Sequence, residues 1–285
     1  MELKNRILFL STGFLCVSFL VFLQSCGMCS HRGEESEIEP VDPVEHVQGR
    51  VPWSNLNSIG YPICPDSIPS VIFERYCYTT SYNTATRQPN WVMWQLKREH
   101  VLPRKEGVWN EYREDPDLPT EDIASNDDYA TSGYDRGHMC PGSDCNWDDV
   151  GRDETFLLSN ICPQNPNLNR GDWKEIEIAC RNWAKKYGNL YIVCGPVFLK
   201  SQRHELIGKN MVPVPEAFFK VILCLGSFTA KGIGFVCRNT DGNRKKDFYV
   251  NSIHEVERIT GYSFFPNLDS HIKDQVSNMR DISAW

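Results

Sequence analysis

The hydrophobic pattern opens with a largely apolar run from Ile7 to Leu23, preceded by Lys4 and Arg6 and followed by Gln24-Ser25-Cys26-Gly27. A cationic start, an apolar stretch and small residues at its end predict a secretory leader over 1–25. From Ser30 to about Gln48 the pattern vanishes: Glu34-Glu35-Ser36-Glu37, Pro40 and Pro43 predict an acidic, disordered tether, taken to span 26–60. Periodicity returns near residue 61 and marks one folded domain over 61–285. β-rich runs at Arg75 to Tyr82 and Trp91 to Leu96 predict two strands joined through polar Asn83 to Asn90. Glu111 to Gly133 is acidic and polar and reads as a long loop, and Phe156 to Ile161 as a short buried strand. Trp173, Ile176, Cys180, Trp183, Ala184 and Tyr187 recur at helical spacing, so a helix is predicted over about 170–187, stopped by Gly188-Asn189. Leu190 to Phe198, Ala217 to Leu225 and Gly232 to Val236 read as core strands, and Ser252 to Thr260 as a helix presenting Ile253, Val256 and Ile259.

Strands in runs with helices between them predict an α+β fold on a mainly antiparallel sheet. A net charge of −7 excludes a protein that coats nucleic acid through a broad basic surface, while leaving room for an enzyme that holds one phosphate locally. The segment ending in Cys26 resembles a bacterial lipobox, which implies cleavage before Cys26 and attachment to the membrane through a lipid on its thiol. An uncleaved anchor or a plain signal peptide is the other reading, and each version exports the rest of the chain. Cys180, Cys194, Cys224 and Cys237 lie in apolar surroundings and read as small core residues.

Two clusters carry chemistry. Asp135-Arg136-Gly137-His138 sets an acid, a base and an imidazole able to take a proton near neutral pH beside a flexible glycine. By itself it equally describes a loop histidine satisfied by Asp135. The second cluster runs Ser159-Asn160-Ile161-Cys162-Pro163-Gln164, Asn169-Arg170-Gly171-Asp172-Trp173, then Glu177 and Arg181. On a regular helix Asn169, Glu177 and Arg181 share one face. Taken singly, Asn169 could be a helix N-cap and Glu177 with Arg181 an i,i+4 ion pair.

Together, in this order and spacing, the two clusters resemble the DNA/RNA non-specific endonuclease family, which is endonuclease G-like and has the ββα-metal nuclease fold. The resemblance covers roughly residues 76–266. It implies that His138 is the general base that activates water, and that Asn169 is the side-chain ligand of one hydrated divalent cation, usually magnesium, with manganese or another divalent ion as alternatives. It implies further that Glu177 orients the cation's waters, that Arg181 is a phosphate-side cation and that Asp135 supports the motif. Arg136 would position its own loop or the scissile phosphate, and Asn160 would shape the site near Asn169. The family's upstream transition-state arginine matches Arg113 at best; an ordinary solvated loop arginine is the equal alternative. The implied substrates are DNA and RNA.

Cys140 and Cys162 depart from the usual pattern, which has small residues there. They suggest a disulfide tying the His138 loop to the strand before Asn169. A local Cys140–Cys145 pair is the alternative, and soft metal ligation by His138, Cys140 and Cys145 a remote third. The competing functions are an inactive binding lipoprotein that keeps the fold and a phosphodiesterase of narrower substrate range.

Overall fold

The computed structural model describes residues 56–101, 111–199, 203–226, 230–240, 242 and 244–285. The predicted leader, Cys26 and nearly all of the predicted tether lie outside these residues. Leu56 and Ile59 are already buried, so the fold begins at least five residues before the expected boundary at 61. Among the described residues, no helix is long and apolar enough to cross a membrane.

A seven-stranded antiparallel sheet forms the centre. Its strands are β1 (Val71–Glu74), β2 (Tyr78–Asn83), β3 (Gln88–Lys97), β6 (Asn189–Val197), β9 (Ala217–Leu225), β10 (Ala230–Arg238) and β11 (Val250–Asn251), hydrogen-bonded in that order. The numbering leaves two small antiparallel pairs, β4 (Asp135–His138) with β5 (Ile161–Gln164) and β7 (Leu206–Ile207) with β8 (Val212–Pro213). Five α-helices complete the fold: α1 (Asn126–Ala130), α2 (Asp149–Glu154), α3 (Lys174–Tyr187), α4 (Ile253–Thr260) and α5 (Ser270–Ser277).

Side chains alternate across a pleated strand, so the central strands each feed two layers. On the front face Val92, Trp94, Ile192, Cys194, Phe218, Ile222 and Phe235 pack beneath α3, whose Ile176, Cys180 and Trp183 form the stripe expected from the sequence. On the back face Trp91, Met93, Val193, Phe219, Val221 and Leu223 pack under α4, α5 and Phe264. Because both faces are covered, these strands read as continuous apolar runs.

Four expectations change. The predicted loop from Glu111 to Gly133 contains α1, whose Ser125 and Asp128 make a reciprocal capping box. The short strand expected at Phe156 to Ile161 forms later, at Ile161–Gln164, after a 3-10 turn over Leu158–Asn160. The helix expected from 170 begins as a π-helical turn, Leu168–Trp173, and becomes regular only at Lys174. Gly188, at φ +95°, ends it as the sequence indicates. In the helix opened by Ser252, Ile253 and Val256 are buried, whereas Ile259 is exposed.

Candidate active site

The Asp135–His138 motif is a strand. Every residue of β4 faces a partner on β5, with Gly137 opposite Cys162 and His138 opposite Ile161. Gly137 is required by close approach: a Cβ there would lie 2.4 Å from Gln164 Oε1, well inside contact distance. The strand end delivers the His138 ring into a box. Phe156 meets it edge-on at 4.9 Å between centroids, and Tyr112 lies at 5.3 Å with its hydroxyl 3.5 Å from Nδ1. Nε2 is buried with no hydrogen-bond partner among the described residues. Burial pushes the imidazole pKa down to about 4, so His138 is a neutral base at pH 7.

The wall beside His138 is held by Asn160, which is fully buried. Its Oδ1 accepts from the Cys140 backbone N–H at 2.9 Å, and its Nδ2 donates to the carbonyls of Cys140 and Thr155. Asn160 therefore shapes the His138 side of the cleft and not, as expected, the surroundings of Asn169. Arg136 also turns away from the cleft. Its Nε and Nη2 donate to Asn126, and its guanidinium lies over the rings of Tyr112 and Tyr129, which makes it an anchor for its own strand.

Asp135 reaches the opposite wall. Its carboxylate accepts from Asn169 Nδ2 at 2.9 Å and from Arg170 at 2.6 and 2.8 Å, which holds its pKa below the usual carboxylate range despite partial burial. Asn169 lies inside the π-helical turn, so it is no N-cap. Its amide nitrogen is committed to Asp135, its Oδ1 has no hydrogen-bond partner among the described residues, and the residue lines the cleft. Glu177 and Arg181 follow on α3 and line the same cleft of about 370 Å³ as His138 and Asn169. They are not an ion pair: Arg181 Nη1 donates to Asp144 Oδ1 at 2.9 Å, while the other Asp144 oxygen accepts from Trp94 Nε1. Among the described residues Glu177 has no such partner. Burial pushes its carboxyl up to about 7, and Lys220 is the strongest opposing influence.

The sequence missed several lining residues. Arg152 and Phe156 enter from α2 and the turn after it, and Lys174 from the start of α3. Only tertiary packing brings these to His138, although Lys174 stands one helical turn before Glu177 on the predicted face. Lys220 had a visible signal, a lysine inside the apolar run Ala217 to Leu225.

A DNA/RNA non-specific endonuclease family model matches residues 57–271, the span that holds both strands of the β4–β5 pair, α3 and the whole cleft. The chain belongs to this family. Its β4, β5 and α3 are the ββα unit of the ββα-metal fold, set on a mainly antiparallel sheet with flanking helices. Similar proteins include the mitochondrial nuclease EXOG of Mus musculus, 32% identical over 236 residues that cover 75% of this chain and 61% of that protein. Mitochondrial endonuclease G of Homo sapiens is 33% identical over 205 residues, covering 68% of this chain and 69% of that protein. The chain thus spans about three fifths of the mouse relative. A solved chain of the EndoG/EndoGI complex superposes with a TM-score of 0.69 at 28% identity, covering 77% of this chain and 92% of its own.

Within this family setting two expectations are corrected. Arg113 does not line the cleft: it pairs with Asp153, both about half exposed, and its backbone bridges to Phe156 and Leu158. Cys140 and Cys162 are both free thiols. Cys162 lies on β5 opposite Gly137, three residues before Cys140, whereas the Cys140 sulfur sits 3.7 Å from that of Cys145, in the local arrangement weighed as the alternative. Among the described residues no group of three His, Cys, Asp or Glu side chains could hold a metal, which removes soft ligation by His138, Cys140 and Cys145. The oriented, open Asn169 carboxamide instead fits a hard cation that keeps most of its water.

Proposed function

We propose that this family member is a divalent-cation-dependent endonuclease that hydrolyses phosphodiester bonds of DNA and RNA with little sequence preference. The observation that carries the reading is a neutral, boxed His138 sharing one cleft with the open oxygen of Asn169. His138 takes a proton from a water, whose oxygen attacks phosphorus, and the 3′ oxygen departs to leave a 5′ phosphate. Asn169 would hold a hydrated magnesium or manganese ion, which would supply charge neutralisation on the phosphate and a proton for the leaving oxygen. Glu177 orients water in the cleft. Asp135 locks the Asn169 amide and so couples the two walls. Arg152, Arg170, Lys174 and Arg181 outweigh Glu177 and the paired Asp135 and Asp144 at the cleft, on a chain of net charge −7, so what attraction there is for a polyanion is local to it. Since these groups address the backbone and no base edge, sequence preference is low.

The test is digestion of plasmid DNA and of RNA by the purified chain with magnesium, with EDTA, and as His138→Ala and Asn169→Ala. Cleavage that needs the cation and disappears in both variants supports the reading; intact polymers across several divalent ions would overturn it. For the leader, the run from Ile7 to Leu23 and the position of Cys26 support export from a bacterial cell and a lipid anchor at the membrane. Radiolabelled palmitate that still joins a Cys26→Ala chain would overturn that.

A further inference from the structure

Lys220 belongs to no part of the chemistry described so far, and its surroundings are unusual. It lies in β9, in the middle of the sheet, between Cys194 on β6 and Phe235 on β10, with its residue 1% exposed. Its Nζ sits 4.5 Å from the centroid of Trp173 and 5.1 Å from that of Trp94, both of them fully buried. Among the described residues it has no hydrogen bond and no ion pair. A buried ammonium without a carboxylate in contact is costly, and two aromatic faces offset only part of that. Trp173 stands one helical turn before Glu177, so the ammonium against its ring lies under the turn that carries that carboxylate. Burial disfavours the ammonium, and Cys194 first, then Glu177 on α3, Cys180 and Asp144 in the loop before α2 oppose that. Arg181 and Lys174 are the cations that share Glu177 with it. Asp144 is already held by Arg181 and Trp94, so of these two carboxylates Glu177 is the one with no direct partner among the described residues.

We propose that Lys220 is a positioning residue whose ammonium, clamped between Trp94 and Trp173 under the cleft floor, keeps Glu177 an anion available to the water shell of a cation at Asn169. The inference rests on the role proposed for Glu177. Trp94 joins both halves of the arrangement, since its ring face takes Lys220 while its Nε1 donates to Asp144.

The experiment compares wild type, Lys220→Met, Glu177→Gln and the double variant, with Lys220→Gln as the second substitution. Methionine has similar length and packs well between rings, so the metal-free protein should keep or raise its melting temperature. At pH 7, Mn2+ affinity measured by calorimetry should fall at least tenfold in Lys220→Met and recover toward wild type at pH 9, with kcat following the same pH shift at unchanged KM. A lysine that only repels the cation gives the opposite sign, tighter Mn2+ binding at pH 7, and would overturn the proposal. So would equal losses from Lys220→Met in wild-type and Glu177→Gln backgrounds, because a residue acting through Glu177 adds little once that carboxylate is gone. Failure of both the Met and Gln variants to fold would assign Lys220 to structure alone. If wild type binds Mn2+ yet cleaves neither polymer, the nuclease reading fails while the Lys220 comparison still stands.

Discussion

The two faces of the central sheet are made by the same strands and do different things. On β9 the back face is Ala217, Phe219, Val221 and Leu223, closed over by Phe264 and Phe265 with rings about 6 Å apart. The front face of that strand is Phe218, Lys220, Ile222 and Cys224, and above it lie Asp144, Glu177 and Arg181. The back face is an apolar layer whose every contact adds stability. The front face spends stability on buried charge and gains a cleft in which charges and a neutral imidazole are held in fixed relation. One strand with a period of two thus separates folding from chemistry.

Substitutions should respect that division. The largest effect is expected for His138→Ala, a loss of about 10³-fold or more in kcat with a melting temperature near wild type, measured by steady-state digestion and calorimetry. On the back face Phe264→Ala should do the reverse, with about 3–5 kcal/mol less stability in urea titration and an unchanged kcat in the fraction that stays folded. If both variants lost stability and activity together, the separation between the faces would be false.

Acid should probe the front face next. Burial holds His138 near pKa 4 against an ordinary value of 6.5, so the unfolded chain takes up its proton first. The contribution of this ring to stability is therefore complete above pH 6.5 and is lost as pH falls through about 4, by up to about 3 kcal/mol. The urea midpoint of wild type should fall relative to that of His138→Phe as pH drops across that window; parallel curves would show that the ring is not desolvated. The smallest effect is expected for Arg113→Ala, which breaks only a half-exposed pair with Asp153 and should change stability by less than about 1 kcal/mol and kcat less than threefold. A hundredfold loss there would return Arg113 to the reaction.

Much of this was legible in the chain. The strands and α3 follow from apolar runs and helical spacing, and the pairing of the Asp135 and Asn169 clusters carries the family. What the sequence leaves dark depends on partners far along it. Glu177 and Arg181 stand four residues apart, and only the fold shows that Arg181 prefers Asp144, 37 residues away. Arg136 reads as an anchor for its own loop or as a phosphate ligand, and only the fold, through Asn126, Tyr112 and Tyr129, shows that it is the anchor. Cys140 and Cys162 flank equivalent motif residues, yet strand register gives Cys162 to Gly137 and leaves Cys140 to Cys145. Arg152 has no local signal, because its place in the cleft comes from how α2 packs.

The π-helical turn over Leu168–Trp173 ties chain length to chemistry. Such a turn is what remains when one residue is added to an ordinary helix, and it offsets everything before it by about 100° relative to everything after it. Asn169 stands before the offset, and Glu177 and Arg181 after it. On an uninterrupted helix the spacings of 8 and 12 residues would leave Asn169 about 80° and 120° from Glu177 and Arg181; a turn that absorbs one residue makes them behave as spacings of 7 and 11, within about 20° of one line. One residue more than a regular helix would hold thus lets a motif of uneven spacing present its polar side chains along a single line of the wall.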